Sequence, residues 1–326
     1  MNTKFKNVAA LTSLKYFTAT KDGSILLRSG IVDHIIDSHT HIGLGLLENS
    51  LPEPTKYVFP LNDAAIDISH YSAHDFDAKL VRRARMETLK AVLARGRNYH
   101  CSASHLVREL KNLRIDRAVV LAVDIFGKIN SSMVLATASK QPKHFIPFIS
   151  LHPRKQNNEQ LMKHYVERGA RGIKIHPPMQ LVRPNSRYVC SMMKLATEYH
   201  LPVLFHCGFT PLSPKFQKRF SNMEDYKKVV SLYKDIPIIL GHSGIDEWEE
   251  ALAIAKQYDH VYLELSGQPS QVIQKIIKTI GDDRLLFGSD WPYYPTTLPL
   301  AKVLLATEGK EKSREKILYT NASHLF

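Results

Sequence analysis

The segment Ile35-Ile36-Asp37-Ser38-His39-Thr40-His41-Ile42-Gly43 joins an apolar, β-branched run to two histidines that are separated by one residue. Consecutive side chains of a strand point to opposite faces, so His39 and His41 are expected on the same face if this run is a strand. A pair of histidines at this spacing is common by chance. Whether this pair has a functional role therefore depends on which other residues of the chain are expected near it.

The same physical pattern recurs along the chain: a short apolar run, a polar loop and an amphipathic helical stretch, which is typical of βαβ units. Several runs are continuously apolar, as strands buried on both faces should be. The predicted strands are residues 35–41, 117–123, 145–151, 172–176, 202–206, 237–242, 260–265 and 285–290, and helices are predicted at 158–168, 187–199, 246–258 and 269–280. Eight strands with helical returns predict a closed (β/α)₈ TIM barrel. An open dinucleotide-binding sheet is disfavoured because no Gly-rich phosphate loop follows the first strand.

The length of 326 residues fits one barrel with additions, since such barrels commonly take about 250 residues. We expect a single domain over residues 1–326. Residues 1–34 form an N-terminal extension, in which Asp22-Gly23 indicates a hairpin or a short capping element. Residues 44–114 form a long insertion after the first strand, where it would lie over the mouth of the barrel. The insertion is interpreted either as a lid or specificity element, or as a surface pair of helices.

The composition favours a cytoplasmic enzyme that acts on a small molecule. The net charge is +13, but the basic residues are scattered among acidic ones, so no nucleic-acid partner is expected and an anionic substrate is favoured. No apolar run approaches the roughly 18 residues of a membrane span, and no secretory signal pattern is found, so no membrane partner is expected. Three cysteines without close pairing predict no disulfide framework and a reducing compartment.

Polar residues stand at the ends of several predicted strands: His206 ends the fifth, His242 the sixth and Asp290 the eighth. The carboxyl ends of barrel strands meet at one rim, so these residues are expected beside His39 and His41. Imidazole and carboxylate ligands suit Zn²⁺ first, with Mn²⁺, Fe²⁺ or Co²⁺ as alternatives, and one or two ions are expected. A divalent metal held in this way lowers the pKa of a coordinated water to about 7.

These motifs resemble the amidohydrolase superfamily, specifically the amidohydrolase-2 branch, which also contains the aminocarboxymuconate semialdehyde decarboxylase type. The resemblance covers roughly residues 35–326. The motifs that carry it are Ile36-Asp37-Ser38-His39-Thr40-His41, Gly172-Ile173-Lys174-Ile175-His176-Pro177, Tyr262-Leu263-Glu264-Leu265-Ser266-Gly267, Gly288-Ser289-Asp290-Trp291-Pro292 and Asn321-Ala322-Ser323-His324-Leu325-Phe326.

The resemblance implies a role for each residue of the strand-end set. His39, His41, His206 and Asp290 would surround a metal. His242 would bind a second metal, or orient and deprotonate the catalytic water. Asp290 would both contact the metal and accept the proton of the water, which is general-base chemistry. Since family members often dimerise, the resemblance also implies a homodimer.

Other residues near the predicted rim keep two or more interpretations. Lys174 is a carboxylated bridge between two metals, a cation that binds a substrate carboxylate, or the structural partner of an acid. His176 and His152, each followed by proline, are substrate contacts or structural residues. Trp291 is a wall of the substrate pocket or part of the scaffold. Cys207 is expected to fill the core, because it would face away from the site on its strand.

The resulting functional prediction is a metal-dependent hydrolase that cleaves an amide, ester or lactone bond in a small anionic substrate. The alternative is a metal-dependent decarboxylase that acts on an aromatic or unsaturated carboxylate without oxidation. That reaction needs an electron sink and a proton delivered to carbon, which His242 or Asp290 could supply. A barrel used only as a metal-binding scaffold is disfavoured, because all five site residues are present.

Overall fold

The computed structural model describes residues 3–42, 64–82, 103–124 and 130–326. Eight parallel strands follow one another in chain order around a single sheet. The first to the eighth barrel strand are Ile36–Thr40, Arg117–Leu121, Phe145–Ile149, Gly172–Ile175, Val203–His206, Ile238–Gly241, Val261–Glu264 and Leu285–Leu286. Ser38 N donates to Phe287 O and His41 N to Trp291 O, both at 2.8 Å, so the first strand meets the chain after the last one. The predicted (β/α)₈ barrel is confirmed.

Helices connect the strands. The longer α-helices are Ala103–Asn112, Ser131–Lys140, Asn158–Glu167, Arg187–Glu198, Met223–Leu232, Trp248–Gln257, Ser270–Ile280 and Thr297–Ala306. Shorter helical segments are Val8–Ser13, Ser72–Asp75, Pro177–Gln180, Lys215–Phe220, His242–Glu247, Glu311–Glu315, Lys316–Thr320 and Asn321–Leu325. The four predicted helices are present with ends that differ by at most two residues, the usual uncertainty of a helix boundary. Within the described parts of the chain, no helix has both the length and the apolar character needed to cross a membrane.

Two hydrophobic cores lie on the two sides of the barrel wall. The larger one fills the space between strands and helices and contains alternate strand residues such as Ile173, Ile175 and Phe205. The smaller one is inside the barrel, formed by Ile36, Val119, Leu121, Ile146, Phe148, Leu204, Ile239, Leu286 and Ala322. The ring of Phe326 stands perpendicular to that of Phe148 with centroids 5.2 Å apart. The last residues of the chain thus cover the floor of the barrel, opposite its mouth.

A β-bulge in the first barrel strand changes which side chains face inward. Asp37 pairs with Ala118 and Thr40 with Val120, so the first strand holds one extra residue between these two pairs. Ile36 belongs to the inner core, and strict alternation from Ile36 would point His39 outward. The extra residue reverses the alternation and directs His39 into the barrel.

The N-terminal extension forms the predicted hairpin, in which Phe17–Ala19 pairs antiparallel with Ile25–Leu27. It also holds part of the insertion, because the short strands Lys4–Phe5 and Ile66–Asp67 pair with each other. Of the predicted insertion 44–114, residues 44–63 and 83–102 lie outside the described residues. The described part of the insertion contacts the loop after the seventh barrel strand at Ser72, whose N donates to Gly267 O at 2.9 Å.

Candidate metal centre

Three of the predicted ligands present their donor atoms to a common point at the mouth of the barrel. Atoms of His39, His242 and Asp290 all lie within 4.8 Å of one another, and all three residues are buried. Asp290 Oδ1 is 3.5 Å from Nε2 of His39 and 3.5 Å from Nε2 of His41. The structure thus brings together four of the predicted side chains, which come from three different strand ends.

His206 lies next to this group. Its Nδ1 is 3.1 Å from Nε2 of His242. Its Nε2 is buried and has no hydrogen-bond partner among the described residues. Because buried polar atoms are almost always paired, an orphaned imidazole nitrogen beside four other ligand-type groups indicates a missing partner. The donor set of imidazole nitrogens and one carboxylate fits a divalent transition metal.

The outer nitrogens of three imidazoles are fixed by hydrogen bonds, and this determines where their protons are. Nδ1 of His39 is 2.7 Å from Glu264 Oε2, and Nδ1 of His41 is 3.0 Å from the carbonyl of Leu121. Nδ1 of His242 is 2.7 Å from the hydroxyl of Ser266. Each Nδ1 therefore donates its proton, which leaves a lone pair on each Nε2. Such outer partners are typical of histidines that bind metals through the second nitrogen.

Three histidines of the site, His39, His206 and His242, are held neutral. Burial, followed by the charge of Lys174 and the neighbouring imidazoles, keeps the pKa of His39 well below its usual range. Burial and then His206 do the same to the pKa of His242, and burial and then Lys174 to that of His206. A neutral imidazole is the form that binds a metal, so metal binding would not require these histidines to lose a proton.

Glu264, at the end of the seventh barrel strand, contacts two of the candidate ligands, and the motif that contains it predicts no role for it. Its fully buried carboxylate accepts hydrogen bonds from His39 Nδ1, from His242 N at 3.0 Å, and from the hydroxyl and backbone N–H of Ser266 at 2.9 and 2.6 Å. Burial raises the pKa of Glu264 to about 8, against the effect of these bonds. A signal was available: a charged residue ends an otherwise apolar strand.

The backbone turns sharply where the ligands leave the strands. His242 has φ 57° and Asp290 has φ 56°, which is the left-handed region that non-glycine residues rarely adopt. Ile239 faces the inside of the barrel, so alternation would point His242 outward, and the left-handed turn brings it back. Strained conformations of this kind recur at functional sites.

Lys174, on the fourth barrel strand, is fully buried and faces the centre. Its Nζ is 3.3 Å from Nε2 of His39, to which the ammonium group donates. Burial lowers the pKa of Lys174 to about 8, while the carboxylates of Asp290 and Glu264 oppose the shift. The position agrees with all three interpretations from the sequence, and the choice among them stays open.

The remaining predicted contacts lie at the border of the site. The ring of His176 stacks on His206 with centroids 4.0 Å apart, and its Nδ1 accepts from Met179 N, which caps the helix Pro177–Gln180. Nδ1 of His152 accepts from Arg154 N in the loop after the third strand. Trp291 is fully buried in the larger core. Their roles in substrate binding stay predictions.

Cys207 is buried in the larger hydrophobic core, with Sγ 3.5 Å from Sδ of Met223. The expectation that it fills the core, rather than joining the site next to His206, agrees with this position.

Comparison with known proteins supports a family and a fold. A protein-family model described as amidohydrolase matches residues 36–326. A search of curated proteins found no match. Among solved structures, a 5-carboxyvanillate decarboxylase from Sphingomonas paucimobilis is similar, with a TM-score of 0.63 and 9% identity over 90% of this chain and 98% of that one.

Two further solved structures are also similar. A probable 2-pyrone-4,6-dicarboxylic acid hydrolase from Acinetobacter baumannii, with citric acid bound, has a TM-score of 0.56 and 13% identity, covering 89% of this chain and 98% of that one. A 5-carboxyvanillate decarboxylase from Novosphingobium aromaticivorans, complexed with manganese, has a TM-score of 0.53 and 14% identity, covering 68% and 79%. At these identities the likeness shows the barrel fold alone.

Proposed function

Since the chain belongs to the amidohydrolase family, we propose that it is a metal-dependent hydrolase that cleaves an amide, ester or lactone bond in a small anionic substrate. The observation that carries this proposal is the convergence of unprotonated Nε2 atoms of His39 and His41 on the carboxylate of Asp290, at 3.5 Å each. A ligand set of this chemistry favours zinc, with manganese as the alternative that is present in one similar structure.

The metal would supply a water that is acidic enough to give hydroxide near neutral pH. Side chains of the protein would accept the proton, orient the water and bind the substrate. Asp290 stands beside the ligand nitrogens and is positioned to accept the proton of that water. His242, fixed through Ser266, would orient the water or hold a second ion. Lys174 would attract the carboxylate of an anionic substrate, since its ammonium group faces the same space.

Decarboxylation of an aromatic or unsaturated carboxylate is the second candidate. The ring of Tyr293 meets the ring of His41 edge to face, with centroids 6.0 Å apart, so an aromatic side chain lies directly beside a ligand. A flat substrate ring would pack well on such a surface. Analysis of the products separates the two reactions, because a decarboxylase releases carbon dioxide and a hydrolase does not.

Asp290→Asn tests the proposed reaction. The amide keeps an oxygen that can face the metal but cannot accept the proton, so metal content should be largely retained while turnover falls by about 10²–10⁴-fold. Metal content is measured by elemental analysis, and turnover with lactones, amides and aromatic carboxylic acids. Undiminished activity would remove the proposed role of Asp290.

The number of metals tests the role of Lys174. If carboxylated Lys174 bridges two ions, the purified protein should hold roughly two equivalents of metal, and mass spectrometry of the native protein should find carbon dioxide on this lysine. One equivalent beside an unmodified lysine would reject the bridge and favour the substrate-binding role.

The homodimer and the cytoplasmic location stay predictions. The homodimer is proposed because members of the family often dimerise. The cytoplasmic location is proposed from the composition of the chain, in which the described cysteines Cys190 and Cys207 are both free.

A further inference from the structure

His206 differs from the other histidines of the candidate metal centre in how its ring is held. Nδ1 of each of the others forms a hydrogen bond with a group outside the candidate ligands. Among the described residues, no side chain outside the candidate ligands bonds a ring nitrogen of His206, since Nδ1 lies 3.1 Å from Nε2 of His242 and Nε2 has no partner. The remaining contacts are with the backbone, at Gly208 in the following loop and through the hydroxyl of Tyr226, which donates to His206 O at 2.6 Å.

The ring of His176 covers one face of this imidazole. The two rings are within 9° of parallel, and their centroids are 4.0 Å apart, so they are in direct contact. The torsion that turns an imidazole about its own axis is soft, and packing therefore has a large part in setting the plane of the ring. A tilt of His206 would press one edge into His176 and separate the opposite edge from it. The stack thus resists rotation of a candidate ligand.

His176 is itself fixed by the helix that follows it, Pro177–Gln180. Its Nδ1 accepts from Met179 N at 3.3 Å, which restrains the ring. Its backbone N donates to Oε1 of Gln180 at 3.1 Å, and Gln180 N donates to His176 O at 2.9 Å. Both the ring and the backbone of His176 are therefore held in place.

The side chain of Gln180 joins the ends of three neighbouring barrel strands. It is fully buried, and its Nε2 donates to the carbonyl oxygens of Asp124 and Leu151 at 3.1 and 3.2 Å. The hydroxyl of Ser150 is a third acceptor, at 3.3 Å. These acceptors follow the second and third strands, while His176 follows the fourth. One amide, with its donors and its acceptor all in use, thus sets the position of His176 against two adjacent strand ends.

We propose that His176 and Gln180 are positioning residues for metal binding. His176 sets the plane of the His206 ring by stacking on it, and Gln180 holds His176 at the correct place on the rim. The inference rests on the proposed function, in which His206 is a ligand. It does not depend on which bond of the substrate is cleaved.

A matched pair of substitutions at position 176 tests the stacking. Phenylalanine and leucine both lack ring nitrogens, but only phenylalanine offers a flat face. After removal of metal, cobalt chloride is titrated against a chromophoric chelator to give the affinity, and the visible absorption of bound cobalt reports its coordination. His176→Leu should lower cobalt affinity about 10–100-fold and change the spectrum, as the loss of an orienting group does. His176→Phe should stay close to the wild type in both.

Gln180→Met tests the second step. Methionine has a similar length but no hydrogen-bond donor, so the link between the strand ends is lost while the space stays filled. Cobalt affinity should fall by about tenfold, with a spectral change like that of His176→Leu. The double variant should be little weaker than His176→Leu, because both substitutions act through the same ring. If Gln180→Met does not fold, Ser150→Ala removes one acceptor and should give a smaller loss in the same direction.

Two control variants lie at the other end of the barrel. His34→Leu removes an imidazole that packs on the ring of Tyr319, with centroids 5.0 Å apart. Asn321→Leu removes a buried amide that donates to the carbonyl oxygens of Asp282 and Leu285 at 2.6 and 2.8 Å. Both should keep the cobalt affinity and spectrum of the wild type, even where denaturant unfolding shows a loss of stability.

Equal cobalt affinity of His176→Phe and His176→Leu, whether weak or strong, would overturn the role of the stack. Wild-type affinity and spectrum in Gln180→Met would overturn the role of Gln180, and fully additive losses in the double variant would show that the two residues act separately. Failure of the proposed function has a different signature. The wild-type protein would then bind no cobalt, or Asp290→Asn would keep full turnover while the two variants at position 176 still differ.

Discussion

At the scale of single residues, the hydrogen-bond partners of two candidate ligand imidazoles differ in one property. His41 donates to a backbone carbonyl, which cannot change its charge, whereas His39 donates to Glu264, which can. Burial raises the pKa of Glu264 to about 8, so below that pH the protein without metal holds a proton on this carboxyl group. A metal bound nearby favours the ionised form, and the two equilibria are therefore linked.

This linkage gives a prediction for the pH dependence of metal binding. Binding must displace the proton from Glu264 below about pH 8, so metal affinity should rise with pH, by up to about tenfold per pH unit, and then level off. Glu264→Gln should lower the affinity by about 10–100-fold and make the profile flatter. Competition with a chromophoric chelator at several pH values measures both effects.

Glu247→Gln is the matched control. This half-buried carboxylate accepts from Phe209 N at 3.3 Å but contacts no ligand imidazole among the described residues. Its variant should keep the affinity and the pH profile of the wild type. A profile that is equally steep in Glu264→Gln would show that another group, such as buried Asp37, carries the proton.

Much of the site could be predicted from the sequence, because an imidazole or carboxylate at the end of an apolar strand is conspicuous. His39, His41, His206, His242 and Asp290 all carry this signal. Glu264 lies in one of the motifs, but its contact with His39 could not be predicted, because an acid at a strand end can equally face solvent. The state of Lys174 could not be predicted either, because carboxylation depends on neighbouring charges and not on the residue itself.

At the scale of elements, the strand ends come so close together that an added Cβ would clash at several described glycines, among them Gly288 and Gly241. A Cβ on Gly288 would lie 2.2 Å from Glu264 Oε1 and 2.7 Å from Cβ of His39. Gly241 is similarly confined by Phe205 O at 2.5 Å. The space that these glycines leave is occupied by the carboxylate and the imidazole that it holds.

Gly288→Ala should therefore displace Glu264 and weaken metal binding. Because φ at Gly288 is not in the left-handed region, the effect comes from crowding and not from backbone strain. We expect a loss of affinity comparable with that of Glu264→Gln, about 10–100-fold, together with about 1–3 kcal/mol of stability. Chelator competition and denaturant unfolding measure the two quantities.

A glycine with open surroundings provides the comparison. At Gly281, φ is 78° and nothing lies within 4 Å of an added Cβ. Gly281→Ala should cost some stability through strain while metal affinity stays at the wild-type level. If Gly288→Ala also kept full affinity, the close packing of the eighth strand on Glu264 would be unimportant for the site.

The elements themselves were predicted well where hydrophobic periodicity was strong, and their irregularities were not. All eight strands appear, but the left-handed turns at His242 and Asp290 and the bulge after Asp37 have no local sequence signal. They arise from the closing of the barrel, which brings distant strands into register. The pairing of Lys4–Phe5 with Ile66–Asp67 is equally a tertiary effect.

At the scale of the whole molecule, the mouth of the barrel holds the candidate metal centre and the floor is closed by apolar side chains. Phe326 packs edge to face on Phe148 and closes the inner core beneath the strands. The candidate metal centre is at the opposite end of the barrel. The two ends should therefore respond independently to substitution.

Phe326→Ala tests this separation. The loss of a partly buried ring and its contact with Phe148 should lower the free energy of unfolding by about 1–3 kcal/mol. Metal affinity should be unaffected, since no ligand rests on this ring. Denaturant unfolding and chelator competition on the same preparation measure both. A large change in metal affinity would mean that floor and mouth are coupled through the strands.

The bulge in the first barrel strand affects how related sequences should be aligned. Ile36 and His39 both face the inside only because one additional residue lies between the Asp37 and Thr40 pairs. In a relative that lacks this extra residue, the candidate ligand histidines would come one position earlier in the sequence, counted from the inward-facing apolar residue of the same strand. An alignment anchored on the histidines would then shift every floor residue by one, unless a gap is placed at the bulge. The number of residues between the inward-facing apolar residue and the first histidine is therefore a better guide to the alignment than the two histidines alone.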